Sequence, residues 1–107
     1  MIISDSGVHP QLHYLLFYNL VPDYLEKRSA YRAAHLEHAR KAEERGELVL
    51  AGALSEPADQ AVLIFSGEEP GAAEKFAEDD PYVLNGLVKN WKVRKWMTVL
   101  GEGSSPP

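Results

Sequence analysis

Between positions 12 and 20, apolar side chains occupy both alternating sets of a strand pattern. Leu12, Tyr14, Leu16, Tyr18 and Leu20 make up one set, and His13, Leu15 and Phe17 the other. A strand apolar on both sides predicts a sheet covered on both faces. Val21-Pro22-Asp23 ends it. Over residues 27–45 the period becomes helical, in a stretch rich in Ala, Glu, Arg and Lys. At 100° per residue, Tyr31, His35, Ala39 and Ala42 share an arc of about 80°, with Glu37, Arg40, Lys41 and Glu44 opposite. His35 is thereby predicted to point inward. Gly46 stands where a helix end favours a left-handed residue.

Residues 47–54 and 60–66 read as two strands joined by a polar loop over 55–59, a hairpin arrangement. A shorter helix is predicted from residue 67, with Pro70 in its first turn and Ala72, Ala73, Phe76 and Ala77 as its apolar side. It stops near Asp79-Asp80, because Pro81 disfavours helical geometry in the residue before it. Asn85-Gly86 signals a turn. Residues 88–100 complete the pattern as a long strand with Trp91, Val93, Met97 and Val99 on one face. The order βαββαβ predicts an α+β, ferredoxin-like domain, with two helices on one face of a four-stranded antiparallel sheet. The other face stays apolar, with members from the first and last strands. Such a face predicts an interface, and a homodimer through the sheet covers it most economically.

Composition narrows the reading. The chain has 107 residues, the length of one domain; 12–100 is read as that domain, 1–11 as a flexible leader and 101–107 as a flexible tail. There is no cysteine, which excludes disulfides, thiolate ligands and cysteine nucleophiles and suits a cytoplasmic address. Eleven basic residues against sixteen acidic ones leave a formal charge of −5. Phosphate-backbone binding needs clustered Lys and Arg, so no nucleic-acid partner is predicted. No apolar run approaches the ~20 residues that span a bilayer, so no membrane partner is predicted either.

Four histidines are present. His9 lies in the leader, and His13 lies in a strand with no partner near it in sequence. His35 and His38 stand at i and i+3 on the helix, close enough for their rings to meet. Zinc would want a third ligand and a more diagnostic motif, so no metal site is assigned. The pair Asp79-Asp80 is unfavourable to the dipole at a helix C-terminus, which leaves it either a polar helix stop or a functional acid. On the residues alone, His35 also reads as a satisfied core histidine, Asp80 as a cap and Arg32 as a solvated helix charge. Trp91 and Trp96 read as core or interface residues.

Four stretches together resemble one family. Residues 28–36, containing Arg32-Ala33-Ala34-His35-Leu36, are similar to the Arg-x-x-His-Leu signature of the YCII-related (YciI-like) proteins. The run 46–54 resembles their Gly-x-Leu-x-x-x-Gly strand, with Gly52-Ala53 in place of the commoner Gly-Pro. Asp80-Pro81-Tyr82 followed by Gly86-Leu87, and the closing run from Trp91 to Trp96, match in the same order. The resemblance implies a dimeric α/β barrel and a pocket between helices and sheet holding a His–Asp dyad. The dyad falls on His35 and Asp80, with Asp79 an extra acid beside it. In such a dyad the carboxylate orients the imidazole for general acid–base work. Arg32 and Arg28 are candidates to hold a substrate anion, and Tyr14 and Tyr82 to line the pocket as donors. The expected function is a small enzyme needing no cofactor, acting on an anionic or hydroxylated ring or lactone by isomerisation, elimination or hydrolysis. The alternative is a non-catalytic dimeric module that binds a small ligand or serves as structure.

Overall fold

β1 (His13–Leu20) buries one of its two apolar sets completely, with Tyr14, Leu16, Tyr18 and Leu20 all in the core. The computed structural model describes residues 12–104, so the proposed leader and the last three residues of the proposed tail lie outside the described residues. After β1 come α1 (Tyr24–Lys27), a 3-10 turn (Arg28–Ala30) and α2 (Arg32–Glu44). The strands β2 (Leu48–Ala53) and β3 (Gln60–Ser66) follow, then α3 (Gly71–Asp79), α4 (Pro81–Leu84) and β4 (Val88–Trp96). The sheet is antiparallel throughout, in the order β2-β3-β1-β4. This is the ferredoxin-like α+β arrangement that the hydrophobic pattern predicts.

Cross-strand register assigns the two faces. Leu16 pairs with Leu63 and Val93, and Tyr18 with Ala61 and Trp91, so these residues share the helix-covered side. Phe65, Phe76, Ala73, Ala77 and Ala42 complete the core between sheet and helices. The opposite face carries Leu15 and Phe17 against Ile64 and Val62, with Leu50 beside Ile64 on the edge strand. Its share of the last strand differs from the expected apolar stripe. Trp91 and Val93 pack toward the helices, while Lys92, Arg94 and Trp96 lie across from Phe17, Leu15 and His13. The Lys92 ammonium sits 5.6 Å from the centre of the Phe17 ring, so the stems of long cations cover part of this face.

Three boundaries differ from the sequence reading. The single helix expected over 27–45 is broken at Tyr31 (φ −121°, ψ 0°). There the Ser29 hydroxyl donates back to the Glu26 carbonyl at 3.5 Å, a local bond that competes with helix continuation. The second helix starts at Gly71, not at residue 67, because Gly67 has φ +138° and the chain turns there. β4 ends at Trp96, the partner of His13, where β1, its neighbour among the described residues, begins. Met97, Val99 and Leu100 are exposed beyond it. Thr98 folds back so that its hydroxyl lies 2.8 Å from His13 Nδ1, giving that histidine a partner distant in sequence. Residues 101–104 form a turn in which the Ser104 amide donates to the Gly101 carbonyl at 3.1 Å. Among the described residues, no helix is long and apolar enough to cross a membrane.

Candidate functional site

Pro81 creates the local structure on which the site rests. It holds Asp80 extended (ψ 124°), so α3 stops and one new helical turn begins immediately. Asp80 thus stands at the N-terminus of α4, where the helix dipole favours an anion, and its Oδ1 accepts the Tyr82 amide at 3.0 Å. The same Oδ1 lies 2.8 Å from His35 Nδ1. The cap and the histidine partner, alternatives on sequence grounds, are one residue performing both roles. Asp79 points away and pairs with Lys75 at 3.2 Å on the surface.

Asp80 is fully buried, and a buried carboxylate needs donors on both oxygens. Tyr18 supplies the other, its hydroxyl donating to Oδ2 at 2.6 Å. Burial, then the adjacent Asp80 charge, pushes the Tyr18 phenol far above its ordinary value. A carboxylate accepts only, so the contact at Oδ1 assigns the proton of His35 to Nδ1 and leaves Nε2 with its lone pair. The imidazole is fixed in plane as well as in tautomer. Tyr82 stacks on it at 3.8 Å with rings 5° from parallel, and Phe76 meets it edge-on at 6.5 Å.

His35 forms part of the wall of a cavity of about 170 Å³ between α2 and the sheet. Its floor is Leu20, Ala61 and Leu63; Ala51, Gly52 and Ala53 of the edge strand close one side, and Arg28, Arg32, Tyr24 and Tyr82 stand around the rest. The short side chains of Ala51 and Ala53 leave the space that larger ones would fill, while Gly52, paired with Val62, borders the cavity through its backbone. Tyr82 is buried, and its hydroxyl has no hydrogen-bond partner among the described residues. Burial pushes that phenol up, neighbouring Tyr24 adds to the effect, and Arg32 and Arg28 pull it the other way.

The structure brings together His35, Asp80, Arg28, Arg32 and Tyr82. The expectation for Tyr14 is corrected: it lies toward the opposite end of β1, off this cavity, with its hydroxyl donating to the Glu68 carbonyl at 3.2 Å. Tyr18 occupies the place expected of it, one helix-facing position beyond Leu16 on the same strand. Periodicity cannot distinguish the two tyrosines; only the position of the α3–α4 junction along the strand does. The break at Tyr31 also moves Arg28 out of line with His35, onto a separate turn with its guanidinium 5.6 Å from the centre of the Tyr24 ring. His35 and His38 do not converge. His38 Nε2 lies 3.0 Å from the Phe76 carbonyl and its ring stacks on Phe76, and no cluster of three metal-ligating side chains occurs among the described residues.

Fold and geometry together define the class: a ferredoxin-like α+β domain with a buried carboxylate orienting an imidazole at the wall of a small cavity. The chain belongs to the YCII-related domain family, whose model matches residues 12–97. Among solved structures it is similar to 5-chloro-2-hydroxyhydroquinone dehydrochlorinase from Burkholderia phenoliruptrix in complex with 2,5-dihydroxybenzoquinone. That likeness has a TM-score of 0.68 at 21% identity, covering 81% of this chain and 95% of the other. A NIPSNAP-like domain protein from Burkholderia xenovorans is similar with a TM-score of 0.55 at 17% identity, covering 92% and 94% of the two chains. At these identities the likeness is one of fold. No curated protein matches the chain in sequence at a significant level.

Replacing Asp80 by Asn removes the charge that three donors address. The expected loss of stability is about 1.5–3 kcal/mol in urea denaturation, with loss of the fixed His35 tautomer in imidazole ¹⁵N shifts; unchanged values for both would contradict the geometry. A second expectation concerns alkaline pH. Tyr18 and Tyr82 have raised pKa values when folded, so above the ordinary tyrosine value of 10.0 the unfolded chain binds fewer protons than the folded one. Stability is therefore full below about pH 10 and falls as pH rises beyond it. Absorbance at the tyrosinate band should show Tyr18 ionising only as the chain unfolds, and Tyr18→Phe should flatten the decline.

Proposed function

We propose that the protein is a small enzyme that needs no cofactor and moves a proton on a hydroxylated or anionic ring or lactone. His35 is its acid–base group and Asp80 the residue that orients it. The observation that carries this reading is the 2.8 Å contact between His35 Nδ1 and a fully buried Asp80 carboxylate at a cavity wall. With Nδ1 holding its proton toward Asp80, Nε2 takes a proton from a substrate oxygen or carbon. The imidazolium so formed is stabilised by the carboxylate and returns the proton to carbon or to a leaving group. Isomerisation and elimination each reduce to these two transfers, with no net oxidation; in hydrolysis Nε2 takes the proton from a water that adds to the substrate carbon and returns it to the leaving group whose bond to that carbon breaks. The fold-level likeness to an enzyme named as a dehydrochlorinase of a hydroxylated ring supports this class of substrate.

The test is a screen of halogenated and hydroxylated hydroquinones and small lactones, comparing the parent protein with His35→Gln. Turnover of at least one compound is expected, with kcat/KM falling about 10²–10⁴-fold in the variant. Turnover that survives in His35→Gln would sink the assignment; ligand binding without turnover in the parent would leave a binding module. The reading includes a homodimer through the open sheet face, where Leu15, Phe17, Val62 and Ile64 lie together and only partly buried. Light scattering should give twice the 11.9 kDa chain mass, and Phe17→Asp should halve it; a monomeric parent would remove the dimer from the reading.

A further inference from the structure

The two oxygens of Asp80 differ in what holds them. Oδ1 accepts the Tyr82 amide at 3.0 Å and faces His35 Nδ1 at 2.8 Å. Among the described residues Oδ2 has one donor, the Tyr18 hydroxyl at 2.6 Å. The torsion that turns an aspartate carboxylate is broad and roughly two-fold, so contacts at one oxygen leave the group free to swing. A short bond at the second oxygen removes that freedom. The three donors are not equivalent as anchors. The Tyr82 amide belongs to the turn that Asp80 itself caps and moves with it, and His35 is the group to be oriented. Only Tyr18 ties the carboxylate to the sheet. It is 1% exposed and stands on the inner strand β1, paired with Ala61 on one side and Trp91 on the other.

Resting on the acid–base reading of His35 given above, we infer that Tyr18 is a positioning residue: its hydroxyl locks the Asp80 carboxylate against rotation and thereby fixes which imidazole nitrogen carries the proton. Stacking on Tyr82 sets the plane of the His35 ring, but a half-turn within that plane exchanges its edges. The edge that faces Asp80, and with it the direction of the Nε2 lone pair, depends on a carboxylate that does not move. Proton transfer is sensitive to that direction. The Tyr18 hydroxyl is committed to Oδ2, so it acts through Asp80 and not on a substrate. Burial and the Asp80 charge hold the phenol in its protonated form, which keeps it a donor. Without it, Oδ2 is a buried anionic oxygen with no donor. The carboxylate then turns toward another group or takes a proton, and either loosens its hold on Nδ1–H. Tyr14, on the same face of β1, donates instead to the Glu68 carbonyl and provides an internal control.

The experiment reads the His35 imidazole by ¹H and ¹⁵N NMR in the parent, Tyr18→Phe and Tyr14→Phe. The parent should show one tautomer with a slowly exchanging Nδ1 proton. Tyr18→Phe keeps the aromatic ring at the cavity wall. It should bring in the Nε2–H tautomer and speed exchange of the Nδ1 proton about tenfold or more, the equivalent of one bond to a charged group. Tyr14→Phe should do neither. A residue that only stabilised the fold would lower Tm and leave the imidazole as it was. If Tyr18→Phe does not fold, 3-fluorotyrosine at position 18 keeps the bond with a more acidic donor. Drawing charge toward Oδ2, it should move the Nδ1 proton upfield. On any substrate found in the screen, Tyr18→Phe should lower kcat about tenfold or more with KM within about twofold. Retention of the single tautomer or of the parent kcat in folded Tyr18→Phe overturns the role. So does an equal response in Tyr14→Phe, or an unmoved Nδ1 proton in the fluorinated chain. A tautomer that follows Tyr18 in a protein without turnover removes the catalytic reading and leaves Tyr18's hold on the imidazole. Turnover that needs His35, with a tautomer indifferent to Tyr18, does the reverse.

Discussion

A carboxylate with no exposed surface is the constraint around which this domain is arranged. Taking an ionised Asp80 out of water costs several kcal/mol, and three donors offset it: His35 Nδ1–H, the Tyr18 hydroxyl and the Tyr82 amide. At roughly 1.5–3 kcal/mol for each bond to a charged group, the balance closes within a few kcal/mol. The donors come from α2, β1 and the first turn of α4, so satisfying one side chain fixes three elements relative to one another. The turn at Pro81 makes this possible, because it converts an acid at the wrong end of one helix into the cap of the next.

The cavity follows from what surrounds that anchor. Tyr18 and His35 are held against Asp80, and the neighbouring edge strand carries only Ala51, Gly52 and Ala53 across from α2. Helix and edge strand therefore do not close over the sheet. The floor is apolar and the rim basic, while the compensating acid lies behind the histidine and off the cavity wall. Other acidic residues sit elsewhere, Asp23, Glu47 and Asp79 among them in surface ion pairs of little energetic weight.

Much of the fold was legible because burial imposes a period. The alternation in β1 corresponds to observed buried positions, and along the arc through His35, Ala39 and Ala42 the last is buried and the other two partly so. The dyad residues were found through resemblance, with Pro81 next to Asp80 as the local physical clue. What escaped the sequence reading depends on register and on bonds between distant residues. Tyr14 and Tyr18 share a face and a residue type, and only the docking of the α3–α4 junction decides which meets Asp80. The break at Tyr31 comes with a 3-10 turn over Arg28–Ala30 that propensity does not register. The early end of β4 reflects the length of its neighbour, a property of β1 and not of its own apolar run.

The wiring of Asp80 also bears on the order in which the chain organises itself. Its partners Tyr18 and His35 lie 62 and 45 residues away in sequence, and closing such loops costs entropy before any contact repays it. Helical turns and the β2–β3 hairpin are local and require no such closure. The oriented imidazole can exist only when β1, α2 and the α3–α4 junction are docked at once. Orientation of the imidazole is therefore coupled to completed assembly: a partly organised chain, with its carboxylate still hydrated, carries the same residues and none of the preorganisation.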